Sequence, residues 1–435
     1  MLCIALLFAG VLGLYLMFSA GQVIATRERL NNAADAAAYS AALWRARVMN
    51  YQAYANRAIV AQEVAVAQAV TLVSWARYFS AFTGTASALS AGYPPVASVL
   101  AVSRDLARGA LELAEQAAGE EIPARTNYKQ LLGASQEVMQ RAIGTFALGA
   151  VANEVARASD PRFFAFVMPD AQADLPTRRY EGAERARLQR VVTDSLDGFT
   201  RGPRGLDLTL FPLPSLCFGN PLAGVDTWFQ ELHKRGGTIM APDLERWEAA
   251  DTHSLHNYVP VRGFLGIFRG CRRIESLPLG WGAAEAGVES GGPLQADPGG
   301  VRFNAGAAGM AEGEMIARPV PGMAAYEGIA VVRDLDYGQL ADPRFPISRV
   351  AVLARTEGAA ARTANTLNLG AGRFRLTERF AGGRLWSLSA AQVYFRRPPT
   401  DSDRIEYASL YSPYWQVRLD EPTVAERALA QTYVR

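Results

Sequence analysis

A chain of 435 residues has room for one large or two medium domains beside an anchor. Acidic and basic residues nearly cancel, at net +2, so no overall field draws the chain to nucleic acid or to an acidic surface. Three histidines and three cysteines leave few metal ligands or general bases for an enzyme to use.

Residues Leu2 to Ala25 carry no charge, and Ser19 and Gln22 are their only clearly polar side chains. About 20 apolar residues cross a hydrocarbon core roughly 30 Å thick. A cleaved signal peptide would show a basic start, a shorter apolar core and a small-residue cleavage site. Phe18 occupies the wrong position for a cut after Ala20, so the run reads as an uncleaved anchor over residues 1–25. Arg27 and Arg29 follow the run. Read alone, the positive-inside rule leaves the distal part cytoplasmic. A basic leader upstream of Met1 would remove this conflict with export, and the upstream reading frame tests for it.

No helix breaker follows Thr26 until Gly84. Leu30, Ala34, Ala37, Ala41, Trp44, Val48, Tyr51 and Ala55 recur at alternating steps of four and three, a heptad seam on one helix face. Ile59, Val66, Val70 and Val73 continue it with a small offset. Small residues let helix backbones approach closely. The seam predicts a helical rod over residues 26–83 that packs in an assembly, or else a helix that folds back near Asn50 or Asn56 and packs on its own domain.

The order of features here resembles a known family. The apolar run followed by Arg27-Glu28-Arg29-Leu30-Asn31-Asn32-Ala33-Ala34-Asp35-Ala36-Ala37-Ala38 is similar to the N-terminus of TadE/TadG-like proteins of tight-adherence (Flp) pilus assembly. Trp44 to Tyr51 and Asn56 to Ala61 resemble one TadG-like branch. The resemblance implies a structural or assembly component, minor-pilin-like and non-enzymatic. It implies a single pass through the inner membrane, with the distal domain in the periplasm or on the cell surface. The implied partners are the lipid bilayer and other pilus assembly proteins or pilins, met through the N-terminal helix. Leu30, Ala34, Ala37, Ala41, Trp44, Val48 and Tyr51 would be the packing positions. Some TadG-like proteins carry a von Willebrand A domain with an Asp-x-Ser-x-Ser metal site. Asp194-Ser195-Leu196-Asp197 is the nearest cluster here and has the wrong spacing.

Gly84, Gly92, Pro94 and Pro95 end the rod. Val96–Gly119 and, after Pro123, Thr126–Ala158 read as two further helices, a stalk over residues 84–160. From Pro161 the texture turns to dense proline and glycine with short β-branched runs, an α+β domain over 161–435 with a mixed or antiparallel sheet. Ile329–Val332, Ile347–Leu353 and Trp386–Phe395 predict strands. Arg178–Val192 and Ala223–His233 predict helices, and Gly291–Gly300 and Gly306–Gly313 predict loops. Cys217 and Cys271, placed outside the cytoplasm, form an even pair that predicts a disulfide; by the chain-entropy account its closure contributes roughly 4 kcal/mol.

Candidate chemistry is sparse. His253 and His256, three apart with Asp251 nearby, would share a face on a helix and could bind zinc; the competing reading is a structural or solvated pair. No P-loop, Gly-x-Gly-x-x-Gly or Gly-x-Ser-x-Gly setting occurs, so no cofactor is expected. Asp334-Leu335-Asp336-Tyr337-Gly338 departs from EF-hand spacing and reads as a turn. Trp228, Trp247, Trp281, Trp386 and Trp415 furnish either core or a contact surface. The alternatives to a pilus component are an anchored periplasmic metal-dependent hydrolase and a surface adhesin.

Overall fold

The computed structural model describes residues 2–168, 176–214, 227–262, 268–288, 291–340, 346–358, 383–398 and 407–434. In chain order the helices are α1 (Leu2–Leu89), α2 (Pro94–Arg141), α3 (Thr145–Ser159), α4 (Ala186–Ser195), α5 (Gly198–Arg201), α6 (Ala305–Ala317) and α7 (Val424–Val434). The strands are β1 (Phe164–Val167), β2 (Thr177–Tyr180), β3 (Leu206–Pro214), β4 (Thr227–Met240), β5 (Trp247–Arg262), β6 (Phe268–Ala286), β7 (Val332–Leu335), β8 (Ile347–Glu357), β9 (Arg384–Phe395) and β10 (Trp415–Asp420). A long apolar helix leads, and antiparallel sheets dominate the distal half. The chain condenses into two compact units, each discontinuous in sequence: residues 1–56, 134–179 and 333–435, and residues 57–133 and 180–332.

The first unit is built on the antiparallel sheet β1-β8-β9-β10. Register is set by Phe164 opposite Arg355, Ile347 opposite Tyr394 and Trp415 opposite Phe395. Successive strand residues point to opposite faces. Val350, Val352 and Ala354 therefore join one buried cluster with Ala34, Ala37 and Ala41 of α1 and Leu148, Ala152 and Ala156 of α3. Ala351 and Leu353 face the other way and pack with Met168, Ala390 and Ala430 of α7. The expected strands Ile347–Leu353 and Trp386–Phe395 form as β8 and β9.

The second unit packs the later part of α1 and most of α2 with the antiparallel sheet β3-β4-β5-β6. Gly282 of β6 allows the close approach of α1: a Cβ there would sit 2.3 Å from the Ser74 carbonyl oxygen. On the other face, Ala250 and Ala283 pack with Ala311 and Met315 of α6.

Several expectations are corrected. α2 runs unbroken through Pro123. Proline removes the N–H that would bond the carbonyl four residues back, at Gly119. Gly119 instead lies tight against Pro321 and Gly322, where a Cβ would meet the Pro321 carbonyl oxygen at 2.4 Å. Tertiary packing thus carries the helix past its local breaker. Within Arg178–Val192, residues through Tyr180 are strand and helix α4 begins only at Ala186. In Ala223–His233 the described part, from Thr227, is strand β4, because its residues pair from Thr227 to Lys234 with β3. Gly306–Gly313 is helix α6, its alanines and methionines outweighing three glycines. Gly291–Gly300 stays irregular up to a short 3-10 turn that starts at Pro298, within which Gly299 and Gly300 keep positive φ.

Candidate functional site

From Leu2 to Phe18, α1 presents its apolar side chains to the outside; Leu2 is 77 % exposed and Met17 74 %. Among the described residues this is the one helix long and apolar enough to cross a membrane, and none of its most apolar stretch is buried. Burial begins at Gln22, Thr26 and Leu30, one helical turn apart. The Thr26 hydroxyl donates to the Gln22 carbonyl at 2.8 Å, removing a free polar group where the helix enters the unit.

The seam continues from there. Leu30, Ala34, Ala37, Ala41 and Val48 are buried, and Trp44 and Tyr51 are half-buried. Their neighbours belong to the same chain: α3 and the inner face of the sheet. The face predicted to join an assembly is thus filled by its own unit. Trp44 Nε1 donates to the Ala142 carbonyl at 2.8 Å, and Tyr51 Oη donates to Ser135 Oγ at 2.7 Å.

Polar residues between the seam positions tie the helix to distant segments. Asn50 Nδ2 donates to the Trp415 carbonyl, and Asn50 Oδ1 accepts from the Trp415 N–H, both at 3.0 Å. Asn56 Nδ2 donates to the carbonyls of Arg333 and Leu410 at 2.8 and 2.7 Å, and its Oδ1 accepts from Gln136 Nε2 at 2.7 Å. Arg45, 2 % exposed, donates to Ser348 Oγ and the Arg349 carbonyl. It lines a cavity of about 120 Å³ with Met49, Gln52, Gln140, Ser348 and others, room for a few water molecules. Asp334 accepts from the N–H groups of Leu335 and Leu410 at 2.8 and 2.7 Å and so ties two distant segments together.

In the second unit α1 buries charges opposite charged partners. Glu63 is fully buried; its carboxylate accepts from Lys129 Nζ at 2.7 Å, Tyr326 Oη at 2.8 Å and the Ala330 N–H at 3.0 Å. Burial, and next the Glu63 charge, push the Tyr326 hydroxyl well above its ordinary range. Asp251 accepts from Arg204, Lys234 and Ser74 within 3.0 Å. Tyr78 beside it is pushed up to about 12 by burial and by the Asp251 charge. Arg77 donates to Glu115 and to the carbonyls of Ala283 and Arg318. Sequence reasoning missed Arg45, Asn56, Glu63 and Arg77. Their signal was a polar residue set into an alanine-rich helix on the side that continues the seam.

The histidines lie on strand β5, which sends His253 and His256 to opposite faces; the shared helical face is not formed. His253 meets α1, with Nδ1 3.3 Å from Tyr78 Oη and its ring stacked on Phe82 at 5.4 Å. His256 turns to the opposite side, where Nε2 lies 2.8 Å from Asn304 Oδ1 beside His233 and Phe303. Burial lowers the pKa of both. Among the described residues no three His, Cys, Asp or Glu side chains are placed to hold a metal. The expected Cys217–Cys271 pair lies outside the described residues, since Cys217 falls in 215–226 and only the backbone of Cys271 is described, in β6. Of the tryptophans, Trp247 and Trp415 are buried in the core.

The arrangement is that of a protein led by an exposed apolar helix that turns into structural core part-way along its length. Residues 1–46 match the family model described as "Putative Flp pilus-assembly TadE/G-like". That span takes in the exposed apolar stretch, the Arg27–Ala38 junction and the first half of the buried seam. No curated protein and no solved structure matches the chain.

Proposed function

We propose that this protein is a membrane-anchored, non-enzymatic structural or assembly component of a Flp pilus system, minor-pilin-like in its action. The observation that carries the reading is the coincidence of the family match with the change in burial along α1. The matched residues include a stretch of helix that no described residue covers and the point where cover begins. In the proposal, residues 2 to about 24 sit in the inner membrane and the two units lie in the periplasm or on the cell surface. Other pilus proteins are met along the exposed apolar stretch, because the alanine seam is already occupied. The seam's role is to mount the anchor rigidly on the first unit.

Replacing Leu6, Leu7 and Phe8 together with aspartate should release the protein from the membrane fraction and abolish piliation, while the circular dichroism melt is unchanged. Normal piliation from a soluble variant sinks the proposal. Ala37→Asp places a charge against α3 and the sheet; it should remove the protein by misfolding, and a folded, assembly-deficient variant would show instead that the seam contacts a partner.

A further inference from the structure

The turn joining α1 to α2 is apolar and unusually free of charge. No Asp, Glu, Lys, Arg or His occurs between Arg77 and Arg104. Leu89, Tyr93, Val96, Val99, Val102 and Leu106 are exposed there, Val99 by 65 % and Leu106 by 71 %. Exposure continues right round the turn, over every residue from Ala91 to Val96. A partner helix would cover one stripe; this end is bare on all sides.

Most of its backbone donors are satisfied internally, the Gly92 N–H excepted. The N–H groups of Ser90, Ala91, Tyr93, Val96 and Ala97 bond to carbonyls of the turn itself. Pro94 and Pro95 occupy the start of α2, where helices otherwise leave donors without partners, and they carry no N–H. The hydroxyls of Thr83, Thr85, Ser90, Ser98 and Ser103 donate back to helix carbonyls. Internal satisfaction of this kind is what hydrocarbon demands of a backbone.

The dimensions agree. At about 1.5 Å per residue the bare length of α1 runs roughly 10 Å from Leu89 back to Phe82, where His253 and Gly280 pack, and on α2 the first charge, Arg104, stands roughly 15 Å from Pro94. One leaflet of a hydrocarbon core about 30 Å thick accommodates that depth. Arg108, exposed and roughly 21 Å from Pro94, falls at headgroup level, where lipid phosphates complement its charge. We infer that the α1–α2 turn is a second lipid-contacting site, a helical hairpin tip that enters one leaflet of an anionic bilayer. The hairpin is too short to span, so it adds adhesion to a membrane surface without a second crossing.

The test places the photo-crosslinking residue p-benzoylphenylalanine at position 89, 99 or 113 of the full chain. The protein is reconstituted in vesicles of phosphatidylethanolamine and phosphatidylglycerol, with protein-free vesicles of the same composition in excess. Lipid adducts at 89 and 99 should exceed those at 113, roughly 28 Å along α2 from Pro94, by at least fivefold. Val102→Asp, a change at an exposed position that leaves the melt unaltered, should remove them. Crosslinks between two copies in place of lipid adducts, or equal lipid yields at all three positions, overturn the inference.

Discussion

Two stretches of one helix, α1, solve the same packing problem by different means. From Leu30 to Ala55 the buried face is mostly alanine, and it meets α3 and a sheet through close backbone approach. From Glu63 to Arg77 the buried face includes Glu63, Thr71, Ser74 and Arg77, and each polar group meets a specific partner. The first arrangement rests mainly on close contact between small residues, with Arg45 and Gln52 set among them. The second is selective: a buried charge is stable only opposite its partner, so it fixes which strand and loop α1 may pack on.

The largest effect that would break this contrast lies at Glu63. Glu63→Ala leaves Lys129 buried without its carboxylate and should cost about 3–5 kcal/mol in a urea melt. Adding Lys129→Met should restore most of the loss; no recovery would mean the pair is not the cause. Asn56→Ala, in the alanine-rich stretch, orphans the Arg333 and Leu410 carbonyls and should cost about 1–3 kcal/mol by the same melt.

A smaller, pH-dependent effect belongs to the second unit. Burial holds His253 and His256 below their ordinary value near 6.5, so the unfolded chain takes up protons first. Stability is fully present above about pH 6.5 and is lost as pH falls through the lower folded values. His253→Phe, which keeps the stack on Phe82, should flatten that decline in melts between pH 7.5 and 5. The smallest effect is Leu7→Ala, where an exposed side chain shortens; the folded units should change by less than about 0.5 kcal/mol in a detergent melt.

The sequence made part of this legible for identifiable reasons. The four-and-three spacing of Leu30 to Ala55 marked the buried face of α1, because helical periodicity is local. The same spacing could not say what covers the face: α3 lies about a hundred residues away and β8 some three hundred. The strands β8 and β9 were readable from β-branched runs. Helix α6 was not, since glycine content misled where alanine decided. Pro123 looks in sequence like the opening of a new segment, because the contact of Gly119 with Pro321 and Gly322 is a tertiary fact. His253 and His256 would share a face only on a helix, and the strand period of two separates residues three apart. The two compact units draw on alternating stretches of the chain, an order that composition does not signal.

The reciprocal bonds between Asn50 and Trp415 carry a consequence for biosynthesis. The two residues are 365 apart in the chain. At about 5–20 residues per second, the ribosome takes roughly 20–70 s to travel between them. Throughout that interval the seam of α1 has been made while β8, β9 and β10 have not all emerged. The nascent chain therefore carries the alanine face of α1 without the strands that cover it until translation reaches β10.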